Sequence, residues 1–407
     1  MVSQDMRDKI RRFEKEHIAF RRIIYLCYLV YGRLFAFLCF CMRIFPVQEN
    51  KILCCSKKGK QCNDNPMYIA CELRKRNTDY TIVWLTERGA ERKNSLPYGM
   101  KCVKMRSISM AYELATSRVW IDSNTKDYGT LKRKNQLYIQ TWHASYSLKR
   151  FGMDFPDRSE FVDRLIYAYN ARIIDLFISN SKKTSEIYRS AFGYTGRILE
   201  CGSPRNDIFF QPPDQYLEKV RSYFGVYGKK MALYAPTFRS DFSIEAFRLD
   251  YFRLKRNLEK RFGGEWAILI RLHPRDHTDA GEFCYGNKQI INATDYEDMQ
   301  ELLVACDILI TDYSSSAFDF AVKGKICFLY ATDIDKYRKE QGCYFELSGL
   351  PFPLAQDDGQ LEKNILQFDE KRYREKVKRL FEETGLCENG DASSKAADFI
   401  EQWMDRH

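Results

Sequence analysis

Five short segments of the 407-residue chain carry residue types able to do chemistry, and each follows an apolar run. The first reads Q-T-W-H-A-S-Y-S-L-K-R from Gln140. An imidazole at His143, flanked by hydroxyls and cations, can take a proton from an alcohol near neutral pH. A lone histidine can equally be a core group satisfied by a backbone carbonyl. The second segment, C-G-S-P-R-N-D from Cys201, makes a tight turn in which Arg205 either grips phosphate or closes an Arg–Asp ion pair. The third runs through Pro236 and Thr237 to Arg239, again a turn after a strand, binding a ligand or leaving its arginine solvated. In the fourth, Arg271 and His273 alternate to the same side of a strand end, a placement hard to explain as core packing. The fifth, T-D-Y-S-S-S-A-F-D-F from Thr311, sets Ser314, Ser315 and Ser316 at the start of a helical stretch. Free N–H groups, the helix dipole and hydroxyls can there bind phosphate, whereas simple capping needs one hydroxyl. None of the five is a P-loop or a G-x-G-x-x-G.

The elements that must position these residues read as two α/β halves. Strands are expected at 52–55, 80–86, 101–104, 118–122, 136–141, 176–179 and 197–201. A second series follows at 231–235, 266–271, 289–292, 308–311 and 326–330. Alternation of apolar strands with helical stretches predicts parallel sheets covered on both faces. The segments divide as 1–47, an amphipathic helical segment; 48–212 and 228–390, two Rossmann-like domains; and 391–407, a C-terminal helix. Two such domains place a cleft between the carboxyl ends of their strands.

The net charge of +10 favours an anionic partner. Nucleic acid is not expected, because no RNA-binding signature accompanies the charge. Many of the 14 cysteines lie in apolar runs, which suits a reducing compartment, and no C-x-x-C pair or zinc-ligand spacing occurs. Residues 23–45 are apolar and aromatic but interrupted by Arg33. On a helix, Arg11, Lys15, Arg22 and Arg33 share a stripe, with Phe20, Ile24, Cys27, Tyr31, Leu34, Phe35 and Leu38 opposite. That pattern suits an interfacial helix on an anionic bilayer, not a span; the alternative is a helix packed on its own domain.

Six segments in order resemble the CDP-glycerol glycerophosphotransferase family, the teichoic-acid primases and polymerases of bacterial cell envelopes. They are Q-T-W-H from Gln140, G-S-P-R-N-D from Gly202, Y-A-P-T-F-R from Tyr234, R-L-H-P from Arg271, I-T-D-Y-S-S-S-A-F-D-F from Ile310 and D-K-Y-R-K-E-Q-G-C-Y-F-E from Asp335. The resemblance implies a GT-B fold, with the first domain for the acceptor and the second for the CDP-linked donor. It makes His143 and His273 the catalytic histidines, His143 as general base. His273, Arg271 and Ser314–Ser316 would hold the donor's diphosphate. Arg205, Thr237, Arg239 and Thr311 would assist, with Asp312 and Asp319 shaping the site. Ala144-Ser145-Tyr146 departs from the family's usual Gly-Thr-Pro, setting bulk near the histidine and bearing on acceptor identity.

The implied reaction moves a polyol phosphate from CDP-glycerol or CDP-ribitol to a lipid-linked polymer at the cytoplasmic face of the membrane, releasing CMP. The alternatives are a GT-B glycosyltransferase using a nucleotide sugar, or a non-catalytic membrane-bound scaffold. No tightly bound metal is expected, although loosely held Mg²⁺ is compatible with the lone pair Asp333 and Asp335.

Overall fold

The computed structural model describes residues 18–87, 96, 99–155, 161–237, 239, 248–272 and 289–407. Arg11, Lys15, His273 and Pro274 lie outside them, as does the side chain of Phe20.

Two parallel sheets form. The first holds β1 (Gln48–Cys55), β2 (Thr81–Thr86), β3 (Lys101–Lys104), β4 (Ser117–Asp122), β5 (Leu137–Gln140), β6 (Leu176–Ser179) and β7 (Arg197–Glu200), in the order β3-β2-β1-β4-β5-β6-β7. The second holds β8 (Lys230–Tyr234), β9 (Trp266–Ile270), β10 (Ile290–Asn292), β11 (Ile308–Thr311), β12 (Ile326–Tyr330) and β13 (Leu354–Ala355), in the order β10-β9-β8-β11-β12-β13. Every predicted strand is present, with ends shifted by a few residues. Residues 354–355 gave no signal, because a two-residue strand has no period to read.

Alternation along each strand explains why both faces are buried. Ile52 and Cys54 of β1 face one layer with Ile69 and Leu73 of the Asp64–Arg76 helix. Leu53 and Cys55 face the other with Met110 and Leu114 of the Ile108–Thr116 helix. The terminal helix, Ala392–Arg406, returns to the first sheet and buries Ala396, Ala397 and Ile400 in its core. The helix Asp214–Phe224, between the two expected domain spans, packs by Val220 into the core of the second sheet.

The Ile18–Cys41 helix corrects the expected two-faced pattern. Tyr28, Gly32, Phe35 and Cys39 form its docked side. A Cβ on Gly32 would fall on the Tyr128 ring, and one on Gly129 (φ +91) would fall on the Gly32 carbonyl. This backbone-to-backbone approach is therefore possible only for glycine. Another side, between the expected charged stripe and the expected apolar face and taking in Leu34 of the latter, is apolar and open: Ile23, Leu26, Val30, Leu34 (66% exposed) and Phe37 (67%). At about 100° per residue these five lie within roughly 80° of arc, with exposed Arg22 and Arg33 bordering one edge. By length and composition Arg22–Ile44 could cross a bilayer. Its docked side, however, packs on protein at Tyr28, Gly32, Phe35 and Cys39.

Loops of the two halves are hydrogen-bonded to each other. Arg150 N–H donates to the Gly342 carbonyl (3.2 Å) and Tyr344 N–H to that of Leu148 (2.8 Å). Gln300 Nε2 donates to Asn206 Oδ1 at 2.7 Å, closing the cleft on its other side.

Candidate active site

His143 stands just beyond β5, half-buried, with Nδ1 2.9 Å from the Ser123 carbonyl. A carbonyl only accepts, so Nδ1 carries the proton and Nε2 keeps its lone pair. Burial draws its pKa below the usual 6.5, although the Ser123 bond and Asp64 pull the other way. The ring is therefore neutral, and basic at Nε2, at neutral pH. The preceding residue, Trp142, sits at φ 51, a strained position costing about 1–3 kcal/mol for a non-glycine residue. Its ring is clamped by Phe151 (4.9 Å) and Phe192 (5.1 Å). Gln140 Oε1 accepts from its N–H (2.9 Å), and its carbonyl accepts from Asn65 Nδ2 (3.1 Å).

Arg205 resolves to the ion-pair alternative. Nη1 lies 2.8 Å from Asp64 Oδ1 and Nη2 2.9 Å from Asp319 Oδ2. Nη1 also donates to the His143 carbonyl (2.8 Å), and Nη2 to Ser145 Oγ (3.3 Å). Both terminal nitrogens are thus bonded to protein, while Nε has no partner among the described residues. Burial would raise the Asp64 pKa, but Arg205 with Lys57 and His143 holds it below the ordinary value. Because Asp64 belongs to the first domain and Asp319 to the second, the guanidinium is an interdomain clasp. Asp319 accepts further bonds from Asn206 Nδ2 (3.0 Å) and Ser145 Oγ. These bonds hold it at the domain seam.

Arg239 is likewise neutralised, not solvated. It lies 2.8 Å from Asp312 Oδ2 and 2.7 Å from Asp333 Oδ2, against the stacked rings of Tyr313 and Tyr337. Its partners spend Asp312 and Asp333 on structure, and Asp312 also accepts from Thr237 N–H (2.8 Å). Thr311 Oγ1 donates to the Ala235 carbonyl (2.6 Å), tying β11 to the end of β8. Arg239 and Thr311 thus donate within the loops that Asp312 and Asp333 help to hold.

Other candidates keep groups without a protein partner among the described residues or without an ion pair. Thr237 Oγ1 has no partner among the described residues. Arg271 is buried, makes no ion pair among the described residues, and donates from Nη1 to the carbonyls of Ala293 (3.4 Å) and Tyr296. Burial lowers its pKa to about 10, leaving it charged at neutral pH. Ser314 and Ser315 are half-buried, and their N–H groups have no acceptor among the described residues. Ser314 Oγ accepts from Ser316 Oγ (2.9 Å) and Ser316 N–H (3.3 Å), which fixes the turn before the Ser316–Ala321 helix. His273, predicted beside Arg271, lies outside the described residues. Among the described residues no group of three or more His, Cys, Asp or Glu is placed to hold a metal.

The Ala144-Ser145-Tyr146 departure has a different meaning from the one expected. Ala144 lies outside the left-handed region, so glycine is not needed there. Tyr146 turns away from His143 into the domain seam, where it stacks on Phe318 (4.7 Å) and bonds Thr384 Oγ1 (2.7 Å). Sequence reasoning missed Ser123, which sets the tautomer of His143, and Lys57, which follows β1. The only signal for Lys57 was K-K-G after an apolar run.

A family model described as CDP-Glycerol:Poly(glycerophosphate) glycerophosphotransferase matches residues 37–402. The chain belongs to that family. It is 31% identical over 358 residues to the teichoic acid poly(glycerol phosphate) polymerase of Staphylococcus epidermidis, covering 84% of this chain and 49% of that one. It is 29% identical to the teichoic acid glycerol-phosphate transferase of Staphylococcus aureus, covering 86% and 93%. Thus the chain spans about half the length of one curated relative and nearly all of another. The solved structure of the wall teichoic acid polymerase TagF superposes with a TM-score of 0.79 at 29% identity, covering 95% of this chain and 98% of that one. The two facing parallel sheets are those of the GT-B fold, as expected for this family.

Proposed function

We propose that the protein transfers a polyol phosphate, glycerol phosphate foremost, from a CDP-polyol to a hydroxyl of a teichoic-acid-type polymer, releasing CMP. The observation that carries the reading is His143, whose Nδ1–H is spent on the Ser123 carbonyl so that Nε2 is left basic at the cleft. The acceptor hydroxyl gives its proton to Nε2, and its oxygen attacks the phosphorus bearing the polyol. The bond from that phosphorus to the bridging oxygen breaks, and CMP leaves. Such a step asks mainly for positioning and charge stabilisation. Arg271, Thr237 Oγ1 and the N–H groups of Ser314 and Ser315 supply donors on the opposite domain. Mg²⁺, if used, would arrive on the donor's diphosphate, since Asp312 and Asp333 are taken by Arg239.

Its acceptor is proposed to be lipid-linked and met at the cytoplasmic face of the membrane. The exposed stripe from Ile23 to Phe37, bordered by Arg22 and Arg33, suits burial in a bilayer surface with its basic edge toward anionic headgroups. The test is purified protein given CDP-glycerol and a lipid-linked glycerol-phosphate acceptor. CMP formed one for one with added glycerol phosphate supports the reading, and donor binding without CMP turns it toward a scaffold.

A further inference from the structure

The order of the first sheet reverses between β1 and β4. In open α/β sheets the crevice beyond the carboxyl ends of two such strands is where ligands bind. The loop leaving β1 there is conformationally costly. Lys57 (φ 46), Lys58 (φ 54) and Gly59 (φ 79) are left-handed in succession, and each lysine spends about 1–2 kcal/mol on that geometry. The loop is pinned to the neighbouring strand end. Ser123 Oγ accepts from Lys57 N–H (3.4 Å), and Asn124 Oδ1 accepts from Lys58 N–H (3.0 Å). Ser123 is also the residue whose carbonyl holds His143 Nδ1. One residue therefore fixes both the Lys57 backbone and the basic imidazole.

The Lys57 ammonium is half-buried and bonded to a neutral amide, Gln61 Oε1, at 2.7 Å, with no ion pair among the described residues. Carboxylates close enough to act on it are already committed. Asp64 is bound by Arg205 (2.8 Å), and Asp298 caps the Met299–Ala305 helix through Gln300 N–H (2.7 Å). Burial, with Arg271 and Arg205 adding repulsion, lowers the Lys57 pKa despite the attraction of Asp64. Arg205 and Arg239 each have two carboxylates, whereas Lys57 and Arg271 have none among the described residues. Two uncompensated cations on facing domains repel unless an anion lies between them.

We propose that Lys57 is an anion-binding residue of the cleft, its ammonium and the Arg271 guanidinium engaging a phosphate ester from opposite domains beside Nε2 of His143. The inference rests on the transferase reading. Either the donor's diphosphate or the phosphodiester of the acceptor's last unit offers this chemistry, and the two are separable.

Lys57→Gln and Lys57→Arg in the full chain test it, since neither adds glycine freedom and both keep the same backbone cost. A charged hydrogen bond of ordinary strength predicts that Lys57→Gln loses about 10- to 100-fold in kcat/KM, while Lys57→Arg retains most of the activity. A matching rise in the CDP-glycerol Kd places the donor's diphosphate on Lys57. An unchanged donor Kd with the loss in acceptor KM places the acceptor's phosphodiester there. Lys57→Gln indistinguishable from wild type overturns the proposal. Equal losses in both variants with a lowered Tm also overturn it, because the role would then be structural. Wild-type CMP release is the control: its absence sinks the transferase reading, whereas a normal wild type beside an unaffected Lys57→Gln sinks only this inference.

Discussion

Replacing Arg205 with methionine separates the two chemistries that its motif allows. The guanidinium lies between Asp64 and Asp319, whose side chains are 3% and 2% exposed, at 2.8 and 2.9 Å. Removing one partner of a buried ion pair costs about 3–5 kcal/mol, because the remaining charge stays buried without its counter-ion. Here two carboxylates are orphaned. Each keeps partial compensation: Asn65 N–H reaches Asp64 (2.9 Å) and Asn206 Nδ2 reaches Asp319 (3.0 Å). The expected loss therefore stays within that range, about 3–5 kcal/mol, instead of doubling. At about 2–4 °C per kcal/mol for domains of this size, Tm falls by roughly 6–20 °C. Thermal and urea melts measure this, with CDP-glycerol titration alongside. Adding Asp319→Asn to Arg205→Met should recover part of the loss, since it removes one orphaned charge. The deficit should also shrink toward pH 4, as the Asp64 carboxyl, which Arg205 holds low in the wild type, protonates. A variant of unchanged stability with strongly weakened donor binding would refute the clasp and restore Arg205 as a phosphate ligand.

His143→Ala should abolish turnover while leaving CDP-glycerol binding and Tm nearly unchanged, as read by titration and thermal melts. Since burial holds the His143 pKa below 6.5, kcat/KM should stay flat from pH 8 to about 6.5 and fall only below it, the folded imidazole protonating later than a free one. Phe37→Glu with Leu34→Glu should remove binding to anionic vesicles in a flotation assay and leave Tm unchanged, because both side chains point away from the fold. Gly32→Leu should undock the Ile18–Cys41 helix, increasing its protease sensitivity, since no Cβ fits against Tyr128. Tyr146→Ala should cost about 3 kcal/mol by urea melt through the lost Phe318 stack.

Strand positions were legible because each strand is a short apolar run bounded by turn residues. The parallel sheets followed from the absence of polar alternation along the strands. The strand-end placement of the motifs also held: His143 follows β5, Thr237 follows β8 and Arg271 follows β9. What the sequence could not show was how charges are spent. Arg205 and Arg239 look like Arg271 in a linear reading, yet their carboxylates come from residues 64, 319, 312 and 333, which only the tertiary fold brings close. Lys57 was illegible for the converse reason: what sets it apart is that no carboxylate pairs with it among the described residues. The Ile18–Cys41 helix was misread in detail because periodicity finds an apolar face but does not say which part of it another helix covers.

The account rests on which bond breaks. Full-length protein should be incubated with CDP-glycerol labelled in its glycerol and a lipid-linked acceptor, and all products resolved by mass spectrometry. The account predicts CMP and an acceptor heavier by one or more glycerol-phosphate units in equal amounts, with none from His143→Ala. Release of CDP, or donor bound without turnover, would contradict it.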